Sequence, residues 1–234
     1  MKRIACVVGV AALAAMAQPE KKPELKAPPV VAPGASAAAA PADAKVLIDG
    51  KSLDGWKKRD GSPAAWKLDE KSGTATAGGG DIVSKHTFGD AQIHVEFMTP
   101  VEKGDGQDRG NSGVYIHGHY EVQVLDSYKS ETYPDGQCGA IYGQHVPLVN
   151  ACRPQGEWQT YDIVFRAPKF DAAGKKTANA VITVIHNGVL IQDHAEAVSP
   201  TGSAIDQKET ATGPLMLQEH GHPVVYRNVW VRGI

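Results

Sequence analysis

The sequence predicts an all-β fold, a jelly-roll sandwich of two antiparallel sheets. Three observations point there. After Asp43 nearly every segment alternates apolar and polar residues with the two-residue period of a strand. No window shows a capped repeat of 3.6 residues. The glycines, 25 in all, recur between the alternating segments, as at Gly78-Gly79-Gly80, Gly104, Gly106, Gly174, Gly188, Gly213 and Gly221, where they mark turns. Many short strands with regular turn signals bury their apolar faces only against one another, which gives a sandwich or a barrel. In a jelly roll one sheet curves, here with a polar concave face.

The elements follow in order. Residues 46–56 read as a strand, a turn and an anchoring Trp56 that belongs in the core. Residues 92–98 set Ile93, Val95 and Phe97 against His94, Glu96 and Met98. Residues 114–117 and 120–125 form two strands about a Gly118-His119 turn. In the second, Tyr120, Val122 and Val124 face one way and Glu121, Gln123 and Leu125 the other, with Asp126 just past the end. Residues 158–166 set Tyr161, Ile163 and Phe165 against Thr160, Asp162 and Val164. Residues 181–186 and 189–192 flank Asn187-Gly188, a hairpin signal because both residues tolerate positive φ. Residues 214–219 and 224–231 complete the set. Arg227 falls on the face of Val225, Val229 and Val231, so it needs a carboxylate, Glu121 or Glu219, or a place at a groove edge. Two long loops, 101–110 and 127–150, suit a site wall; the second carries Tyr128, Tyr133, Cys138, Tyr142 and His145.

The N-terminal region has a different character. Met-Lys-Arg, an apolar run to about Ala14 and Ala15-Met16-Ala17 read as a signal peptide over 1–17, too short for a membrane span. Residues 18–43, rich in Pro, Ala and Lys, read as a disordered linker. Residues 44–234 then form one domain of a secreted, periplasmic or cell-envelope protein. A net charge of −2 gives no electrostatic case for nucleic acid or an anionic membrane as partner. Past the leader two cysteines stay, Cys138 and Cys152. In an exported chain they are expected to form a disulfide, worth about 3 kcal/mol by the loop-entropy argument. A cation site is the alternative, without close C-x-x-C spacing.

The polar groups fall in three clusters: Arg109, Asn111, His117, Glu121, Gln123 and Asp126; then Gln218, Glu219, His220 and His222; then Arg227. There is no phosphate-cradling glycine loop, no H-E-x-x-H and no nucleophile elbow. A glycosidase working by displacement needs two carboxylates across a groove. The strand reads Glu121-x-Gln123-x-x-Asp126, and the amide at Gln123 argues against that chemistry.

Several stretches together carry a resemblance. They are Leu47-Ile-Asp-Gly-Lys51 with Leu53-Asp-Gly-Trp56, Arg109-Gly-Asn-Ser-Gly-Val-Tyr115, Tyr120-Glu-Val-Gln-Val-Leu-Asp126, Gly139-Ala-Ile-Tyr142, Trp158-Gln-Thr-Tyr161, Asn187-Gly188, Gly213-Pro-Leu-Met-Leu-Gln-Glu-His-Gly221 and Tyr226-Arg-Asn228. In this the chain resembles the 3-keto-disaccharide hydrolase domain family, from about residue 46 to 231. Glu219 departs from it, since the family often has Asp there. The resemblance implies a concanavalin A-like sandwich and cleavage of glycosides already oxidised at C3. Such a site needs a base near C2, an electrophile at the C3 oxygen and an acid for the leaving group. On this reading His220 is base or acid, with Glu121 its counterpart or a metal ligand. Arg109 or Arg227 stabilises the enolate. Asn111, Gln123, Tyr142 and Gln218 hold sugar hydroxyls. A divalent cation of the Ca or Mn/Zn class, chelated by Glu121, Asp126 or His220, is an alternative electrophile. The rival reading is a non-catalytic, lectin-like carbohydrate-binding module at the cell envelope, because one fold hosts both.

Overall fold

A computed structural model describes residues 26–27 and 39–234; the expected signal peptide and most of the expected linker lie outside the described residues. From Lys45 onward the chain is a succession of strands. They are β1 (Lys45–Ile48), β2 (Trp56–Lys58), β3 (Lys67–Asp69), β4 (Thr74–Thr76), β5 (Ile82–Phe88), β6 (Ala91–Met98), β7 (Ser112–Ile116) and β8 (Tyr120–Val124). After the long loop come β9 (Gln159–Arg166), β10 (Lys169–Phe170), β11 (Lys176–Ala178), β12 (Ala180–His186), β13 (Val189–Ala197), β14 (Gly213–Leu217) and β15 (Val225–Gly233). Among the described residues no helix is long and apolar enough to cross a membrane.

The strands form two antiparallel sheets. An eight-stranded sheet runs β13-β12-β9-β6-β15-β4-β3, with β1 also paired to β15, and a five-stranded sheet runs β2-β5-β14-β7-β8. Alternation decides what lies between them. Ile93, Val95 and Phe97 of β6 and Tyr161, Ile163 and Phe165 of β9 meet Val114, Ile116, Tyr120, Val122, Val124, Leu215 and Leu217 from the other sheet, all fully buried. Each such side chain contributes about 1.5–3 kcal/mol of burial. Trp56 is core, as expected, and its Nε1 donates to Leu47 O at 2.8 Å. Asn187 and Gly188 take φ of 52° and 84°, the turn their pairing requires.

Two expectations fail for reasons of register. The β7–β8 connection is three residues, with His117 at φ 56° and Gly118 at 70°, so Tyr115 and not Ile116 lies opposite Glu121. A one-residue change of register exchanges the two faces of a strand. In β15 the pairing with β6 slips between Arg227 and Trp230, and Asn228 sits at φ 45°. This bulge carries Val229 and Val231 into the core and leaves Arg227 on the outer face of the large sheet. Arg227 therefore meets neither Glu121 nor Glu219. Its Nε donates to Glu96 Oε2 at 2.6 Å, and its guanidinium stacks 3.8 Å from the Trp158 ring. Cys138 and Cys152, expected as a disulfide pair, lie buried next to each other in the core, each a free thiol in this structure.

The outer face of β6 holds a second buried ionic group. His94 Nδ1 is 2.7 Å from Asp162 Oδ1 and its Nε2 is 3.6 Å from Glu96 Oε1, beneath a stacked Trp230 ring. Burial alone would lower the His94 pKa, but the two carboxylates outweigh it and raise it from 6.5 to about 9. Burial likewise opposes ionisation of Glu96, yet His94, Asn228 and Arg227 hold it down at about 2. A raised histidine contributes stability that is complete below its unfolded pKa and is lost as pH rises through the folded one. Thermal melting should therefore show stability falling from about pH 6.5 to 9. His94→Gln should be less stable overall and lack that decline; an unchanged slope in the variant would contradict the assignment.

Candidate active site

The site lies on the outer face of the five-stranded sheet, the face turned away from the core. Gly113 and Tyr115 of β7, Glu121 and Gln123 of β8 and Met216 of β14 point this way, while their neighbours in sequence enter the core. Loops close over this face and leave a pocket of about 290 Å³. Its lining includes Asn111, Tyr115, Glu121, Gln123, Gln218 and His220, with Tyr133 and Tyr142 in contact through their hydroxyls in the wall and Gly202 and Ser203 across from them. A larger, open depression of about 910 Å³ on the other sheet, bordered by Trp158 and Arg227, has no buried titratable group in its walls.

Glu121 is the floor of the pocket and is 3 % exposed. Its backbone N–H donates to Thr201 Oγ1 at 3.1 Å and its C=O accepts from Tyr142 N at 3.2 Å, so two covering segments are fastened to the same residue. Burial pushes the carboxyl pKa up to about 8, the nearby Asp81 carboxylate adds to this, and a hydrogen bond from Tyr115 opposes it. The Tyr115 hydroxyl donates to Gly202 O at 2.9 Å and accepts from Gln218 Nε2 at 3.2 Å. Burial raises its pKa far above the usual phenol range, so it stays a donor. With its amide nitrogen turned toward β7, Gln123 donates to Glu121 Oε1 at 2.8 Å and to Ser112 O at 3.0 Å. Gly113 completes the cradle: a Cβ there would stand 2.4 Å from Glu121 Oε1.

Six of the residues expected at the site thus converge: Asn111, Glu121, Gln123, Tyr142, Gln218 and His220. His220 is exposed at the rim, on the turn after β14, where Glu219 N donates to Asp81 Oδ1 at 2.9 Å. Three expected residues, Arg109, Asp126 and Arg227, lie elsewhere. Arg109 forms an ion pair through its Nε with Asp126, whose carboxylate is fully buried. Asp126 Oδ1 also accepts from Tyr128 N at 3.0 Å. Arg109 therefore anchors the start of the wall loop and does not face the pocket, and Arg227 is on the opposite sheet. Asp126 is likewise spent on Arg109, so the set Glu121, Asp126 and His220 does not converge on one cation, and the residues do not fit that expectation.

Tyr133 comes from the loop expected as a wall, but sequence reasoning missed Tyr115, Gln107, Gly202 and Ser203 in this lining. Tyr115 was hidden by the misplaced turn, and the signal that finds it is the three-residue connection. Gly202 and Ser203 belong to a segment without periodicity, held down by Arg59, which donates to Ser203 O at 3.1 Å and Ala204 O at 2.6 Å.

Residues 43–232 match the 3-keto-alpha-glucoside-1,2-lyase-like domain. The chain belongs to that family. Among solved structures, one from Parabacteroides distasonis, provisionally named a glycosyl hydrolase, is 41% identical. The match covers 90% of this chain and 93% of that one, with a TM-score of 0.78. A second provisionally named glycosyl hydrolase from the same organism is 21% identical over 82% of this chain and 94% of its own, TM-score 0.60, a likeness of fold. No curated protein sequence matches the chain. For this member of the 3-keto-alpha-glucoside-1,2-lyase-like family, the arginine reassignment has a direct consequence. Arg109→Ala strands the Asp126 carboxylate in the protein interior and should cost about 3–5 kcal/mol of stability, read by urea unfolding. Undiminished stability would contradict the pairing.

Proposed function

We propose that the chain cleaves 3-keto-glycosides by eliminating the C1 substituent after loss of the C2 proton. The observation that carries this reading is the Glu121 carboxyl, buried at the floor of a small polar pocket with its pKa raised to about 8. A carboxyl that keeps its proton at neutral pH is a general acid; the family's name and the provisional glycosyl hydrolase name of the 41%-identical structure supply the substrate class.

In this reading each step falls to a residue of the pocket. A ketone at C3 makes the C2 proton acidic. His220 at the rim removes it, and the electron pair enters the C2–C3 bond as an enediolate. The Gln218 amide, which donates one N–H to the Tyr115 hydroxyl, offers its second to the developing oxyanion, and the Tyr115 hydroxyl turns from Gly202 O to share it. Collapse forms the C1–C2 double bond and breaks the bond from C1 to the leaving oxygen, which takes the proton of Glu121. The products are the aglycone alcohol and an unsaturated 3-keto sugar, which water then hydrates. Asn111, Gln123 and Tyr142 border the space for the ring hydroxyls. Two neutral donors take the part that the arginines were expected to play. The leader read from the sequence supports action outside the cytoplasm.

The test is aglycone release from a chromogenic 3-keto-glucoside. Release is expected, and Glu121→Gln should lower kcat about 10²–10⁴-fold. The kcat/KM profile should fall on its alkaline limb near pH 8, where Glu121 loses its proton. Glycan binding without release would establish the lectin-like reading instead.

A further inference from the structure

We propose that Cys138 and Cys152 become a disulfide that closes the base of the wall loop and holds Tyr142 against β8. The two sulfurs and a ring nitrogen of His186 all lie within 4.8 Å of one another in the core. Both thiols are nearly inaccessible, at 2% and 5% exposure, so among the described residues each has the opposite cysteine as its one thiol partner. Between them the chain leaves the core, passes the pocket and returns. On the way it pairs with β8: Gly139 N donates to Gln123 O at 2.9 Å, Gln123 N to Ala140 O at 3.0 Å and Tyr142 N to Glu121 O at 3.2 Å. The residue that lines the pocket is thus delivered by the segment whose two ends the sulfurs would join.

A cation shared with His186 is the competing use of these groups. His186 Nε2 faces Gln159 Oε1 at 3.2 Å, leaving one nitrogen, and the positive charge of Arg153 already acts on this ring. A tetrahedral site needs a fourth donor. The Tyr161 hydroxyl lies 3.0 Å from Cys138 Sγ, but its proton is committed to Gln123 O at 2.6 Å. Joining the sulfurs demands no fourth group and leaves no charge in the core.

The bond forms by thiol–disulfide exchange before the sandwich closes. One cysteine thiolate attacks a disulfide oxidant of the export compartment and displaces one of its sulfurs; the second cysteine then displaces the other. Two thiol protons and two electrons pass to the oxidant, which is reduced from one disulfide to two thiols. The readout is independent of any reaction at the pocket, so failure here leaves the proposed function standing.

The full chain, leader included, is expressed, recovered from the export compartment, unfolded in excess alkylating reagent and peptide-mapped, with metal content measured in parallel. The expected result is a linked pair of peptides containing Cys138 and Cys152, two hydrogens lighter than the free pair, alkylated only after reduction. In the Cys138→Ala/Cys152→Ala double variant, the Gly139 and Tyr142 amides should lose hydrogen-exchange protection relative to the linked chain. Both cysteines alkylated without reduction would overturn the proposal; bound metal at one per chain in that sample would assign the cluster to a cation instead. A linked pair with unchanged protection in the double variant would overturn its role in holding the wall.

Discussion

The site depends on one constraint: a carboxyl, Glu121, is held out of water on the outward face of a sheet. An outward-facing acid on an antiparallel strand is ordinarily solvated, and it ionises near its usual value. Here the wall loop and the segment that follows β13 close over it, and each is hydrogen-bonded to the Glu121 backbone itself. Gly113 leaves the space its carboxyl occupies, and Tyr115 fills the opposite register position. The desolvation that costs folding energy is the same desolvation that keeps the proton in place at neutral pH.

The arginines show the complementary rule. A buried charge needs a partner, and each arginine expected at the pocket already has one. Arg109 neutralises Asp126 at the root of the wall loop, and Arg227 neutralises Glu96 on the other sheet. Neither guanidinium lines the pocket, whose walls are amides, phenols and one imidazole. A fixed cation beside Glu121 would favour its ionised form and draw its pKa down. Keeping the arginines away is therefore part of what makes this carboxyl an acid, and the protein uses them to fasten the scaffold.

Much of this was legible in the sequence. Alternation along residues 92–98, 120–125 and 158–166 gave the core faces, and Asn187-Gly188 gave a hairpin. The polar face of β8 was visible as Glu121 and Gln123 in line. Burial of that face was not, because it comes from segments distant in the chain, with no periodicity of their own. Register was the other blind spot. A three-residue connection in place of two hid Tyr115, and a bulge at Asn228 turned Arg227 to the wrong side of its sheet. Both are backbone features at non-glycine residues in left-handed conformations, which local preference alone does not announce. β5, an inner strand of the sheet that carries the site, was also unassigned. Its Ile-Val-Ser-Lys-His-Thr-Phe run is buried over its first three residues and at Phe88 but exposed or half-exposed between them, and this mixture defeats a simple period.

The central claim is that Glu121 carries a proton at neutral pH in the folded protein. It is tested most directly by following the side-chain carboxyl carbon of Glu121 by 13C NMR across pH, with Glu121→Gln to assign the signal. The expected titration has its midpoint near 8, well above the ordinary glutamate value of 4.5. A midpoint between 4 and 5 would mean an ionised carboxylate at neutral pH, and the role of Glu121 as general acid would fall with it.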